Sequence, residues 1–333
     1  MRIVIPMAGI GKRMRPHTLS TPKPLLPVIG KPIVQLLLED LVKMMDDKVE
    51  EVAFIIGDFG TEAENSLKNI AHQLGLKPSI FYQNEALGTA HAIWCAASFL
   101  KGNVLIAFAD TLFKTDFIIN KDEDGIIWTK KIDHPQLFGV VVPDENDYVK
   151  LFAEKPKEFV SDLAIIGIYY FNNGEYLKDQ IQYIIDNDIK GNNEYQLTDV
   201  LENMKNQGQK LKIAMVDEWF DCGNKKAMLD TNKEMLKLKL PSGFVHPAAR
   251  IENSNIIQPC FVAQDVFLQN AIVGPYVSIG CGTIIENSML SDCIVMNHAM
   301  IDNCKLNNSM LGNHSKSKDR EGELNLGDYS EVL

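Results

Sequence analysis

Two hydrophobic rhythms divide the chain. Up to about residue 240, short unbroken apolar runs alternate with stretches in which apolar residues return every three or four positions. The runs at residues 2–6, 52–56, 79–83 and 104–108 predict buried strands. Between them, Pro32 opens an amphipathic helix with Val34, Leu37, Leu38, Leu41, Val42 and Met45 on one face. A second helix is predicted over residues 61–74, closed by Gly75, and an alanine-rich one over 88–99. Apolar strands alternating with such helices predict right-handed βαβ units and a mostly parallel sheet. Residues 138–142 and 164–171 add strands, and 225–240 a connecting helix closed by Pro241-Ser242-Gly243.

Beyond that point the rhythm changes. Ile251, Ile257, Val262, Val273, Ile279, Ile285, Val295, Ile301, Leu306 and Leu311 recur at close to six-residue intervals, with small or polar residues between them. This period builds neither a helix nor an ordinary hairpin and suits a stacked parallel β-helix, each coil burying aliphatics against the next. The charged residues 316–323 read as a loop leaving the stack and 324–328 as its return. The expected organisation is therefore an α/β domain at 1–240, a Rossmann-like mixed sheet flanked by helices, followed by a β-helix domain at 241–333.

Composition narrows the chemistry. The net charge of −11 argues against a nucleic-acid or anionic-membrane partner, either of which needs a basic surface. It leaves a nucleotide substrate open, because a bound metal supplies local positive charge. No apolar run approaches the ~20 residues that span a bilayer. The six cysteines form no Cys-x-x-Cys pair and are expected to be reduced, which together with an N-terminus that runs straight into a strand predicts a cytoplasmic protein.

The stretch after the first strand is the richest in chemistry. Ala8-Gly9-Ile10-Gly11-Lys12-Arg13 can present consecutive backbone N–H groups to an anion, with Arg13 and Lys23 adding full positive charges. Lys23 sits between prolines that stiffen its segment. The same glycines also fit a plain tight turn, and neither a P-loop nor a complete dinucleotide fingerprint is present. In open α/β sheets ligands bind beyond the carboxyl ends of the strands, where Gly9, Gln83 and Asp110 all fall. A carboxylate such as Asp110 closing an apolar strand is costly unless solvated, paired or metal-bound, and Asp221 closes another short apolar stretch. Mg²⁺ prefers one or two carboxylates plus phosphate oxygens and water.

Residues 8–13, with Pro16, Thr18, Pro22-Lys23-Pro24 and Pro27, resemble the opening of the sugar-phosphate nucleotidyltransferases, and the resemblance extends over essentially the whole chain. The sequence departs from the commonest pattern at Ile10, Lys12, Ala109 and Thr111. The resemblance implies transfer of a nucleotidyl group from a nucleoside triphosphate to a sugar 1-phosphate, with Mg²⁺ held by Asp110 and Asp221. It implies catalytic roles for Arg13 and Lys23. Ala8, Gly9, Gly11, Gln83 and Gly88 would bind the nucleotide, and Gly139, Glu154, Lys155, Gly167 and Glu194 the sugar phosphate. Residues 193–199 resemble the family's Glu-x-x-x-Thr-Asp segment, Asp199 being read either as part of it or as a helix cap, and His91 as packed or solvated. A C-terminal left-handed hexapeptide β-helix is common in this family and implies a homo-oligomer. Thymidylyl transfer to glucose 1-phosphate is the first expectation, with uridylyl transfer or guanylyl transfer to mannose 1-phosphate as alternatives. Acyl transfer in the β-helix is a further alternative, with His298 and His314 as candidate bases.

Overall fold

The computed structural model describes residues 1–45, 49–116 and 118–333. The chain divides into two compact units, Met1–Gly9 with Gln35–Trp219, and Ile10–Val34 with Phe220–Leu333. The coils begin where the hydrophobic rhythm changes, at Phe244–Val245, yet residues 10–34 and 220–240 pack with them.

The first unit is built on a mixed sheet. Seven of its strands run in the order Val149–Glu154, Gly139–Pro143, Leu163–Phe171, Val104–Ala107, Arg2–Pro6, Glu51–Ile56 and Lys77–Tyr82, while Gly125–Lys131 also pairs with Leu163–Phe171 and carries Leu211–Met215 on its other edge. The last four of the seven are mutually parallel, and Leu163–Phe171 turns antiparallel to Val104–Ala107. Val4, Ala53, Ile55, Val104 and Ile106 are fully buried, as unbroken apolar runs require when a strand is covered on both faces. The helices are α1 (Ile33–Lys43), α2 (Gly60–Gln73), α3 (Thr89–Trp94), α4 (Gly174–Asp186) and α5 (Leu197–Asn206). The expected 88–99 helix breaks after Trp94, and Ala97–Phe99 forms a separate 3-10 turn. No helix among the described residues is long and apolar enough to cross a membrane.

In the second unit, α6 (Lys225–Lys239) precedes a left-handed β-helix of parallel coils. Three inward rows fill it: Val262, Ile279, Val295 and Leu311 on one sheet, Leu268, Ile285 and Ile301 on the next, Val273, Leu290 and Leu306 on the third. Ile256, not the expected Ile257, stands in register with Val273. The spacing of equivalent residues falls along the stack, from 17 (Phe244, Phe261, Ser278) through 16 (Ser278, Ile294, Met310) to 15 (Met310, Asn325).

Residues 316–323 do not leave the stack. Lys316–Lys318 pairs with Met300–Asp302, and Glu321–Gly322 with the strand at Lys305. Alternation explains the difference: Ser317 is buried in the coil while Lys316 and Lys318 point to solvent, where Lys318 meets Asp302 at 3.0 Å and Lys316 meets Glu331 at 2.7 Å. Charge at solvent-facing outward positions is compatible with the coil.

One outward row is covered. Phe261, Ser278, Ile294, Met310 and Asn325 stack on the first sheet, and the middle three are nearly fully buried although they face away from the coil interior. The segment 10–34 is tied to both ends of this row. At one end the Phe261 ring lies against Gly30, and the Asn232 side chain of α6 accepts from the Ile29 N–H at 3.0 Å and the Ser278 hydroxyl at 2.7 Å. At the other, His17 Nε2 lies 2.8 Å from Asn325 Oδ1, the Ser20 hydroxyl donates to Asp328 at 2.8 Å, and Pro16 packs on Gly327.

Candidate active site

Each unit carries part of the predicted site. In the first, Ala8 and Gly9 follow the Arg2–Pro6 strand, and the Ala8 carbonyl oxygen stands 3.1 Å from where a side chain on Gly57 would begin. The Leu163–Phe171 strand slips register between Ile165 and Tyr169, and the bulge centres on Gly167 at φ +84°. Phe108 closes on it: its N–H donates to the Gly167 carbonyl at 2.9 Å, and its Cβ is 3.3 Å from where a Gly167 Cβ would lie. Thr111 donates its hydroxyl to the Ile166 carbonyl at 2.8 Å. Half-buried Asp110 is thereby fixed between two residues that are both bonded to the bulge. The close approach expected at Gly167 for a hexose is made here by Phe108.

Gln83 ends the Lys77–Tyr82 strand and folds its loop. Its amide Nε2 donates to the Gly88 carbonyl at 3.1 Å and to His91 Nδ1 at 3.2 Å. His91 therefore belongs to the Gln83 cluster, and burial holds its pKa below the ordinary histidine value, so that Nδ1 stays an acceptor. Gly88 has φ +118°, and an added Cβ would stand 2.4 Å from the Tyr195 carbonyl oxygen. The Tyr195 backbone accepts from Ala90 N–H and donates to the Leu87 carbonyl, zipping the two segments together. Gly88→Ala is thus expected to destabilise the protein by about 3 kcal/mol, through both a strained φ and a backbone clash. A urea midpoint unchanged from wild type would contradict this.

The residues expected to bind the sugar phosphate lie on the same unit. Gly139 pairs with Glu154 across the strands, and the Glu154 carboxylate lies over it, 3.0 Å from where a Cβ would be. Thr198, in the first turn of α5, donates its hydroxyl to Glu154 at 3.1 Å, while Lys155 Nζ stands 3.6 Å from the other Glu154 oxygen. Asp199 is not the helix cap, since α5 begins at Leu197. Its Oδ2 is buried without a hydrogen-bond partner, and burial, reinforced by the Glu154 charge, raises its pKa above the usual carboxylate value. Glu194 is exposed and accepts from the Gln196 amide at 3.0 Å, and Gln196 in turn accepts from Thr89 at 3.2 Å. His91, Thr89, Gln196 and Thr198 were not among the expected site residues. Gln196 and Thr198 lie within the 193–199 segment that resembles the family's pattern, Thr89 lies directly after Gly88, and His91 two residues further on.

The second unit holds Gly11, Arg13, Lys23 and Asp221. Gly11 adopts φ +66°, with the Lys23 Cβ 3.1 Å and the Thr18 methyl 3.2 Å from the place of its missing Cβ. Thr18 donates to the Gly11 carbonyl at 2.8 Å, so the loop closes on itself and presses Lys23 against its glycine. Asp221 accepts from the Gly223 N–H at 3.0 Å, and Thr231 of α6 donates to the Asp221 carbonyl at 2.8 Å. An added Cβ on buried Gly223 would stand 2.9 and 3.0 Å from the Asp221 carboxylate oxygens and 3.2 Å from Arg13 Nη2. A guanidinium and a carboxylate therefore border one point beside the glycine loop. One or two carboxylates with phosphate-binding cations suit Mg²⁺, which takes its remaining ligands from substrate and water. No group of three or more histidine, cysteine, aspartate or glutamate side chains among the described residues could hold a metal by itself.

His298 and His314 lie on the β-helix as two rungs of an exposed ladder. Their rings stack at 4.9 Å, and Tyr329 stacks on His314 at 4.9 Å. All three take left-handed φ of 55–58° at successive corners.

A mixed α/β sheet in one unit and a glycine loop with its cations in the other are features that suit an enzyme of phosphate chemistry. A family profile, nucleotidyl transferase, matches residues 3–237, and the chain belongs to that family. The glucose-1-phosphate thymidylyltransferase of Streptomyces griseus is 24% identical over 362 residues, covering 99% of this chain and 98% of that protein. The bifunctional protein GlmU of Methanococcus vannielii is 29% identical over 267 residues, covering 78% of this chain but only 61% of that protein. A crystal structure of UDP-glucose pyrophosphorylase complexed with UDP-glucose superposes with a TM-score of 0.59 at 22% identity, covering 71% of this chain and 98% of the other, a likeness of fold. The chain is accordingly a nucleotidyltransferase of the sugar-1-phosphate type.

Proposed function

We propose that this enzyme transfers a thymidylyl group from dTTP to glucose 1-phosphate and releases pyrophosphate. The observation that carries the reading is the cluster of Arg13 and Asp221 about Gly223, in the unit where Gly11 packs against Lys23. Arg13 and Lys23 hold the triphosphate, the first as a planar fork and the second as a compact charge. Asp110 and Asp221 are the proposed Mg²⁺ ligands, and the ion, when bound, offsets phosphate charge and aligns attacker and leaving group. Glu154, oriented by Thr198, accepts from sugar hydroxyls, and Lys155 beside it neutralises the sugar phosphate. An oxygen of that phosphate forms the new bond to the α-phosphorus as the bond to the β-phosphate breaks. The attacking dianion needs no general base, so positioning and electrostatics supply the rate. Gln83, its Nε2 held by Gly88 and His91, keeps its amide oxygen to accept from a base edge. Six free cysteines agree with a cytoplasmic setting.

The test is pyrophosphate release from dTTP, UTP, GTP and ATP, each with glucose or mannose 1-phosphate. The expected result is fastest release from dTTP with glucose 1-phosphate, abolished by EDTA and restored by Mg²⁺. Faster release from UTP, or from GTP with mannose 1-phosphate, would replace the choice of substrates. No release from any pair would overturn the reading.

A further inference from the structure

We propose that the last coil of the β-helix positions the triphosphate-binding loop, with Asn325 as the positioning residue acting through His17. The inference rests on the assignment of Arg13 and Lys23 to the triphosphate and adds to it a role for the C-terminal coils. It starts from the covered outward row. From Phe261 to Asn325 the row climbs four rungs, about 19 Å at the usual strand spacing. The segment 10–34 is fastened at both ends of that rise and nowhere needs its own secondary structure beyond short 3-10 turns and a two-residue strand pair.

The lower fastening, at Gly30 and Ile29, follows Lys23 in the chain. The upper one falls inside the loop itself. His17 lies between Arg13 and Lys23 and is next to Thr18, the residue that closes the loop onto Gly11. His17 is almost wholly buried, and its ring is neutral because burial pushes its pKa below the ordinary value. Its Nδ1 has no partner, so the Nε2 contact to Asn325 is its one side-chain hydrogen bond among the described residues. With Nε2 donating to Asn325 Oδ1, the ring is fixed in one tautomer and one orientation. Ser20 and Pro16 add contacts to Asp328 and Gly327 on either side. Asp328 also accepts from the Asn313 backbone and side chain, which ties this coil end to the coil below it. The loop that carries the phosphate-binding cations is thus clamped by a coil more than 300 residues away.

The experiment compares full-length wild type with Asn325→Ala, Ser20→Ala and, as a control on the outer face of another sheet, Glu331→Ala. Steady-state kinetics with dTTP and glucose 1-phosphate are paired with hydrogen exchange of the free proteins. Asn325→Ala is expected to raise KM for dTTP about tenfold, the size of one hydrogen bond lost with its buried partner left unpaired, while KM for glucose 1-phosphate stays within about twofold. Exchange should quicken in residues 10–24 and not in the sheet of the first unit. Asn325→Asp, which keeps the acceptor, should restore the dTTP KM. Ser20→Ala should act in the same direction with a smaller effect, and Glu331→Ala should do neither. An Asn325→Ala enzyme with unchanged dTTP KM and unchanged exchange in 10–24 overturns the proposal, and so does an equal rise in both KM values. A wild type inactive with every triphosphate would instead sink the functional reading, with the exchange result still reporting on the clamp.

Discussion

Asp110→Asn should lower kcat by about 10³-fold while leaving the protein folded. Asparagine keeps the shape, and the Phe108 and Thr111 hydrogen bonds to the Gly167 bulge use backbone and hydroxyl groups that the substitution does not touch. What disappears is a negative charge at the end of a buried strand. Asp221→Asn should behave alike, because an amide oxygen can still accept from the Gly223 N–H. If both carboxylates serve one Mg²⁺, the double variant should be scarcely worse than either single one, since residues acting as a unit are not additive. The measurement is pyrophosphate release across a MgCl₂ titration, with a thermal melt as the folding control. An Asp110→Asn enzyme with more than half the wild-type kcat would remove that residue from the mechanism.

Arg13→Ala comes next in size. The guanidinium borders Gly223 beside Asp221, and on the proposed mechanism its loss takes a planar double donor from the triphosphate. The kcat/KM for the triphosphate should fall by about 10²–10³, with KM for the sugar phosphate much less affected. Arg13→Lys should recover only a part, because an ammonium restores the charge without the fork. Full recovery by lysine would mean that Arg13 supplies charge alone.

The strands and most helices of the first unit could be read from the chain because burial on both faces leaves a continuous apolar run, a local signal. The coils were legible for the same kind of reason: Val262, Ile279 and Val295 repeat because each stacks on its predecessor. What escaped was non-local. Nothing in the sequence shows what stands where a side chain on Gly88 or Gly167 would be: Tyr195 and Phe108, neighbours that only the folded chain brings there. His91 read as a filler because nothing in sequence ties it to Gln83 eight residues earlier. The charges at 316–323 hid a coil whose inward position is held by Ser317. No periodicity could have announced that residues 10–34 belong with the coils, since that pairing joins the two extremes of the sequence.

That pairing bears on how the protein is made. His17 leaves the ribosome 308 positions ahead of Asn325. At about 5–20 residues per second, synthesis holds the two apart for roughly 15–60 s, while the sheet of the first unit has time to form. For that interval the glycine loop waits on the nascent chain without its clamp. A transcript cut short before the coil of Asn325 would leave it so permanently, and the proposed triphosphate loop is clamped only once that coil has been made.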